Sequence, residues 1–154
     1  MSEEHVGQCA YDYETFEKDI HTVIDQLRDK RFDVIVAVNR GGLIPAVCIS
    51  HALNIPMTTV DYSLRDGINH QPKCMFEYFR EMSWKYNNVL LVDDLVDSGK
   101  CVSSIIDIAK QFVTMELAVL AYNTDVVLPV EVHYGMAYSR KIEKRYFDFW
   151  WEAI

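Results

Sequence analysis

The sequence predicts an α/β fold, with a central, mostly parallel sheet of about five strands, helices on both faces and a small hood. Three observations lead there. Strand-like and helix-like stretches alternate along the chain. Two of the strand-like runs, Val34 to Val38 and Val89 to Val92, are apolar at every position, as strands covered on both sides must be. Each run then stops at a loop rich in glycine and charge, Asn39 to Gly42 and Asp93 to Gly99, at the end where open α/β sheets place ligands.

The elements follow in order. Tyr13, Phe16, Ile20, Val23, Ile24 and Leu27 recur at helical spacing behind Asp12, an N-cap type. The polar side of that helix carries Glu14, Glu17, Lys18 and Asp25. The β-branched run 34–38 is a central strand. Pro45 suits a first helical turn, Ala46 to Leu53 continues the helix, and Asn54 is a residue type that closes one. Met57 to Val60 is a short strand. From Asp61 to about Asn87 the chain mixes Gly67, Asn69, Pro72 and charges, which reads as a hairpin or long loop. The second buried strand, 89–92, ends at Asp93-Asp94. Ser98 and Gly99 lead into a helix whose apolar positions are Ile105, Ile106, Ala109 and Phe112-Val113. Leu117 to Tyr122 is a further strand, and the chain from Val130 onward reads as extended.

At 154 residues the chain has the size of one domain, 1–154, and is long enough to bury a core without staples. A formal charge of -8 repels a phosphate backbone, so no nucleic-acid partner is expected. No apolar run approaches the ~20 residues that span a bilayer, and the acidic start, Met1-Ser2-Glu3-Glu4, lacks a leader's apolar stretch. A cytoplasmic protein without a membrane partner is the expectation. Cys9, Cys48, Cys74 and Cys101 form no Cys-x-x-Cys pair, and the histidines pair neither with each other nor with them at zinc spacing. Free thiols follow, and His133 has a structural reading.

The chemistry concentrates in Val89 to Cys101, VLLVDDLVDSGKC. The start of a helix, freed by Gly99, offers backbone N–H groups to an anion, and Ser98 adds a hydroxyl. Asp93 and Asp94 cannot share that anion. They suit the vicinal hydroxyls of a polyol, or a metal. A ligand with a phosphate at one end and a diol beside it is a ribose 5-phosphate. A P-loop is excluded at two defining positions, occupied here by Asp94 and Cys101. Upstream, Gly41 and Gly42 let the backbone approach an anion, and Arg40 brings charge-assisted donors.

VLLVDDLVDSGKC resembles the phosphoribosyl-diphosphate (PRPP) motif of the type I phosphoribosyltransferases, with Ser98 and Cys101 at the family's two threonine positions. Val36 to Ala46, VAVNRGGLIPA, is similar to the diphosphate loop of the 6-oxopurine branch, which can hold a cis non-proline peptide. Tyr146 to Glu152, YFDFWWE, resembles that branch's base-binding end. The likeness covers roughly residues 32 to 152.

The resemblance implies purine salvage, with transfer of ribose 5-phosphate from PRPP to hypoxanthine, guanine or xanthine. It implies Mg²⁺, chelated mainly by PRPP, and a homo-oligomer, dimer or tetramer. Arg40, Gly41 and Gly42 would hold diphosphate, Arg40 in a catalytic role. Asp93 and Asp94 would take the ribose hydroxyls and lie near the metal, as would Glu152. Asp97 would be the general base, and with Ser98, Gly99, Lys100 and Cys101 would wrap the 5′-phosphate. Tyr146 would stack on the base, with Phe147 and Glu152 beside it. Asn123 stands where the family carries a Lys for the purine O6. Residues 64–73 would close as a lid, with Arg65 within reach of phosphate. Transfer to adenine or a pyrimidine, and a PRPP- or nucleotide-sensing regulator without turnover, stay open as alternatives.

Overall fold

Five parallel strands build the sheet in the order β3-β2-β4-β5-β6. A computed structural model describes residues 8–62 and 72–152. Along the chain these residues form β1 (Gln8–Tyr11), α1 (Tyr13–Leu27), β2 (Val34–Asn39), α2 (Leu43–Leu53), β3 (Met57–Asp61) and α3 (Pro72–Met82). Then come β4 (Asn88–Val96), α4 (Lys100–Ala109), β5 (Thr114–Asn123), β6 (Val132–Tyr138), β7 (Tyr146–Phe149) and a 3-10 turn at Trp150–Glu152.

Alternation along the central strands sends side chains into two cores. Ile35, Ala37, Leu90 and Val92 meet α1 and α2 on one face, through Phe16, Ile20, Val23, Ile24, Ala46 and Ile49. Val34, Val36, Val38, Val89 and Leu91 meet α3 and α4 on the other, through Met75, Phe79, Val102, Ile105 and Ile106. The side chains at 34–38 and 89–92 are therefore all buried, which is why the runs read as continuous apolar sequence.

Local signals set the helix ends. The Asp12 carboxylate accepts the Thr15 N–H at 2.8 Å, so α1 starts at Tyr13. Asn54 closes α2 in the left-handed region, φ 54°. No described helix is long and apolar enough to cross a membrane.

The structure departs from the sequence reading in four places. Residues 72–82, expected to lie in a hairpin or loop, form α3, because Met75 and Phe79 lie one turn apart and bury against the sheet. The strand at 89–92 does not end at Asp93-Asp94. It continues to Val96, with Asp93, Leu95 and Val96 in register with Val119, Ala121 and Tyr122 of β5. Helix α4 ends at Ala109, leaving Phe112 and Val113 in the turn before β5. Gln8–Tyr11, for which no strand was expected, is β1. It pairs in parallel with β7, Gln8 opposite Tyr146 and Tyr11 opposite Phe149. This two-stranded unit is the hood. It is fastened to α1 by the buried Tyr11 hydroxyl, which donates to Asp19 Oδ2 at 2.7 Å.

Candidate functional site

Two loops meet at the carboxyl ends of β2 and β4. The first runs Asn39 to Gly42 and contains a cis peptide between Asn39 and Arg40. Its turn is closed by the Gly42 N–H on Val38 O at 2.9 Å. The Asn39 side chain donates to Asp61 at the end of β3. Glycine is required here by space: a Cβ on Gly41 would lie 2.1 Å from Asp94 Oδ2, and one on Gly42 would lie 2.4 Å from Val92 O. The loop thus rests directly on the second strand's carboxylate.

Asp93 and Asp94 sit side by side, partly buried, with the Asp94 N–H donating to Asp93 Oδ1 at 2.8 Å. Burial pushes both carboxyls up, Asp93 well above the ordinary carboxylate range, and the Asp94 charge pushes Asp93 further. Glu152, at the other end of the sequence motifs, adds its charge at Asp94. The hood therefore brings a third carboxylate to this pair. Such a cluster suits a ligand that carries hydroxyl donors or a divalent cation.

Beyond the pair, Asp97 and Ser98 lead to Gly99, which takes φ 78° and starts α4. Gly99 is also close-packed, since a Cβ there would lie 2.6 Å from Val126 Cγ1. The Ser98 hydroxyl accepts the Lys100 N–H at 3.4 Å. Lys100 is exposed and Cys101 partly buried, both in the first turn, whose N–H groups lack intrahelical acceptors.

Asp97 points away from that turn. Its Oδ1 accepts the Tyr138 hydroxyl at 2.8 Å, and its Oδ2 accepts Arg140 Nη1 at 2.9 Å. Burial, then the bond to Asp97, pushes the Tyr138 phenol up. The Asp97 carbonyl accepts Asn123 Nδ2 at 2.8 Å. Asn123 Oδ1 accepts the N–H groups of Asp125 at 3.1 Å and Arg140 at 3.3 Å. Asn123, expected at the base edge, is only 3% exposed, and its amide braces the two loops around it.

On the hood, Tyr146 is 54% exposed, whereas Phe147 is 8% exposed. Phe147 was expected beside the base. Its side chain instead faces the hood's interior, against Tyr11 and Tyr138, because β7 alternates. Trp151 stacks on Phe149 at 4.7 Å. Arg65 and the expected lid at 64–71 lie outside the described residues, and Pro72 and Lys73 open α3. His133 is buried and 2.8 Å from Glu116.

The model of the phosphoribosyl transferase domain matches residues 10–143, from the hood strand through the loop after β6. The chain belongs to that family. The phosphoribosyl transferase domain so defined holds both loops described above. A curated relative, the xanthine-guanine phosphoribosyltransferase of Chromohalobacter salexigens, is 34% identical over 92 residues, 60% of this chain and 56% of the relative. The chain spans about half the length of the curated relatives it matches. A purine phosphoribosyltransferase from Pyrococcus horikoshii superposes with TM-score 0.70 at 25% identity, covering 96% of this chain and 95% of that one. A xanthine-guanine-hypoxanthine phosphoribosyltransferase from Helicobacter pylori gives TM-score 0.70 at 18% identity, covering 97% and 95%. The phosphoribosyltransferase fold thus extends over nearly the whole chain.

Tyr138 and Arg140 escaped the sequence reading. Neither follows a glycine-rich turn or an apolar strand end in the manner of the other site residues. They reach Asp97 from the end of β6, a tertiary contact that no local spacing announces.

Proposed function

We propose that the protein transfers the ribose 5-phosphate group of PRPP to a 6-oxopurine, hypoxanthine, guanine or xanthine, and releases diphosphate. The observation that carries this reading is the direct packing of the Asn39–Gly42 loop on Asp94. That packing sets the Asn39–Gly42 loop against the carboxylates of β4, whose chain runs on through Ser98 to the start of α4; on this reading the three would take the diphosphate, the ribose hydroxyls and the 5′-phosphate. Those are the three chemically distinct parts of PRPP, in their order along the molecule.

In the reaction the C1–diphosphate bond breaks, a purine nitrogen bonds to C1, and the base sheds one proton. Arg40 and the amides of Gly41 and Gly42 hold the leaving diphosphate. Asp93 and Asp94 accept the ribose hydroxyls. Ser98, Gly99, Lys100 and Cys101 enclose the 5′-phosphate at the start of α4. Tyr146 offers an exposed ring on which the base stacks. Asp97 faces the hood side of the site and receives the base's proton. The raised carboxyls of Asp93 and Asp94, with Glu152 near them, fit a Mg²⁺–PRPP complex. When bound, the metal supplies positive charge to the diphosphate. A homo-oligomer in the cytoplasm belongs to the same reading, and sedimentation of the purified protein tests the assembly.

One observation favours a second reading, nucleotide or PRPP binding without transfer: both Asp97 oxygens already hold donors, Tyr138 and Arg140. A single assay separates the two. The protein is incubated with PRPP, Mg²⁺ and one of hypoxanthine, guanine, xanthine, adenine or orotate, and nucleotide and diphosphate are measured. Transfer predicts nucleotide from the 6-oxopurines. PRPP binding with no nucleotide from any base would replace the enzyme reading with the sensor reading.

A further inference from the structure

We infer that Arg140 is the residue that distinguishes a 6-oxo from a 6-amino purine, through its guanidinium beside Asp97. The inference rests on the purine reading above and extends it to base selectivity. The residue expected at that edge, Asn123, is committed elsewhere. Its Nδ2 donates to the Asp97 carbonyl and its Oδ1 accepts two backbone N–H groups, one of them Arg140's own.

Arg140 Nη1 is 2.9 Å from Asp97 Oδ2, and its side chain keeps 43% exposure. A guanidinium has five N–H donors and no acceptor. The bond to Asp97 is its one hydrogen bond from the side chain among the described residues, so its other N–H groups are left for a ligand. The pair lies on the hood side. Tyr138, which holds the other Asp97 oxygen, packs its ring on Phe147 of β7 at 5.2 Å. Tyr146, the exposed ring, precedes Phe147 in the same strand.

The chemistry of the purine edge then decides selectivity. N7 and the 6-substituent share one edge. In guanine and hypoxanthine that substituent is an acceptor oxygen, and in adenine it is an amino donor. A carboxylate that takes the proton at N7 brings its bonded guanidinium to the neighbouring 6-position. There the arginine donates to O6 and meets the adenine amino group donor to donor. A site built this way disfavours the 6-amino base, because a charged donor is left facing another donor.

Titration calorimetry of IMP and AMP, which present a 6-oxo and a 6-amino purine, tests the inference without turnover. PRPP binding is measured alongside. Wild type, Arg140→Gln, Arg140→Lys and Tyr138→Phe are compared, each with a thermal melt to confirm folding. Wild type should prefer IMP. Arg140→Gln, whose amide both donates and accepts, should shrink that preference roughly ten- to a hundredfold, the scale of one charge-assisted hydrogen bond. Arg140→Lys, still donor-only, should retain most of it. Tyr138→Phe removes the other hydrogen bond on Asp97 and should leave the preference within about threefold of wild type.

An equal preference in wild type and Arg140→Gln overturns the inference and leaves transfer intact. A loss in Tyr138→Phe as large as in Arg140→Gln also overturns it, since selectivity would then come from the position of Asp97. A wild type that binds PRPP but neither nucleotide overturns this inference and the purine reading together.

Discussion

Asp94 carries a conflict that its neighbours intensify. Gly41 packs on it, burial raises its carboxyl and Glu152 adds like charge. Its carboxyl is raised from the ordinary 3.8, so the folded protein holds this proton more tightly than the unfolded chain. The stabilising contribution is complete below the ordinary value and is lost as pH rises through the raised one. Asp94→Asn should therefore melt higher than wild type without ligand. The difference should grow with pH across that window, reaching roughly 0.5–2 kcal/mol, as when other functional-site conflicts are relieved. Calorimetric melts at several pH values read this out, and the same variant should lose PRPP binding. A variant less stable than wild type at neutral pH would show that the pair is compensated inside the fold. Asp97 has a different test. Asp97→Asn should lower kcat roughly 10²–10⁴-fold if it takes the base's proton. Single-turnover assays isolate that step, and an unchanged chemical rate would remove Asp97 from the role.

At the scale of elements, the loop after β4 owes its shape to β5 and β6 as much as to its own residues. Asn123 ends β5 and ties the Asp97 carbonyl to the backbone of Asp125 and Arg140. Asn123→Ala leaves these buried groups without their partner, at a cost of about 1–3 kcal/mol. It should also loosen the Ser98–Cys101 turn, so PRPP affinity falls along with stability in denaturant titration. A stable variant with unchanged PRPP affinity would deny the bracing role. Such contacts mark the limit of sequence reading here. β2 and β4 were legible because burial on both faces leaves uninterrupted apolar runs. The loops at 39–42 and 97–99 were legible because glycine interrupts the chain there, and the structure packs Gly41 on Asp94, Gly42 on Val92 and turns the backbone at Gly99. α3 was hidden because Gly67 and Asn69 before it and Pro72 at its start read as loop, which masked the Met75–Phe79 spacing. The end of β4 was misread because carboxylates look like a strand's terminus, although ladder pairing needs only the backbone. Tyr138 and Arg140 left no local trace at all.

At the scale of the molecule, the division of labour follows the layers. The sheet's carboxyl ends supply every group proposed to hold PRPP. The hood supplies Tyr146 and Glu152. The hood consists of two strands from distant parts of the chain, Gln8–Tyr11 and Tyr146–Phe149, held by their own ladder and by the Tyr11–Asp19 bond. Closing that pair brings together residues separated by almost the whole described chain, and the entropy of so long a loop is recovered only when both strands are present. The half proposed to bind the base is then the part of highest contact order, expected to assemble after the sheet and to open before it. On the proposed function, deleting residues 1–11 should remove the base half of the site and leave the PRPP half. PRPP should still bind, purine nucleotide should not, and the amides of 146–149 should exchange with solvent at rates of open chain. During synthesis the same geometry imposes a schedule: the loops at the ends of β2 and β4 can form while the chain is still being made, but the hood must await the emergence of β7.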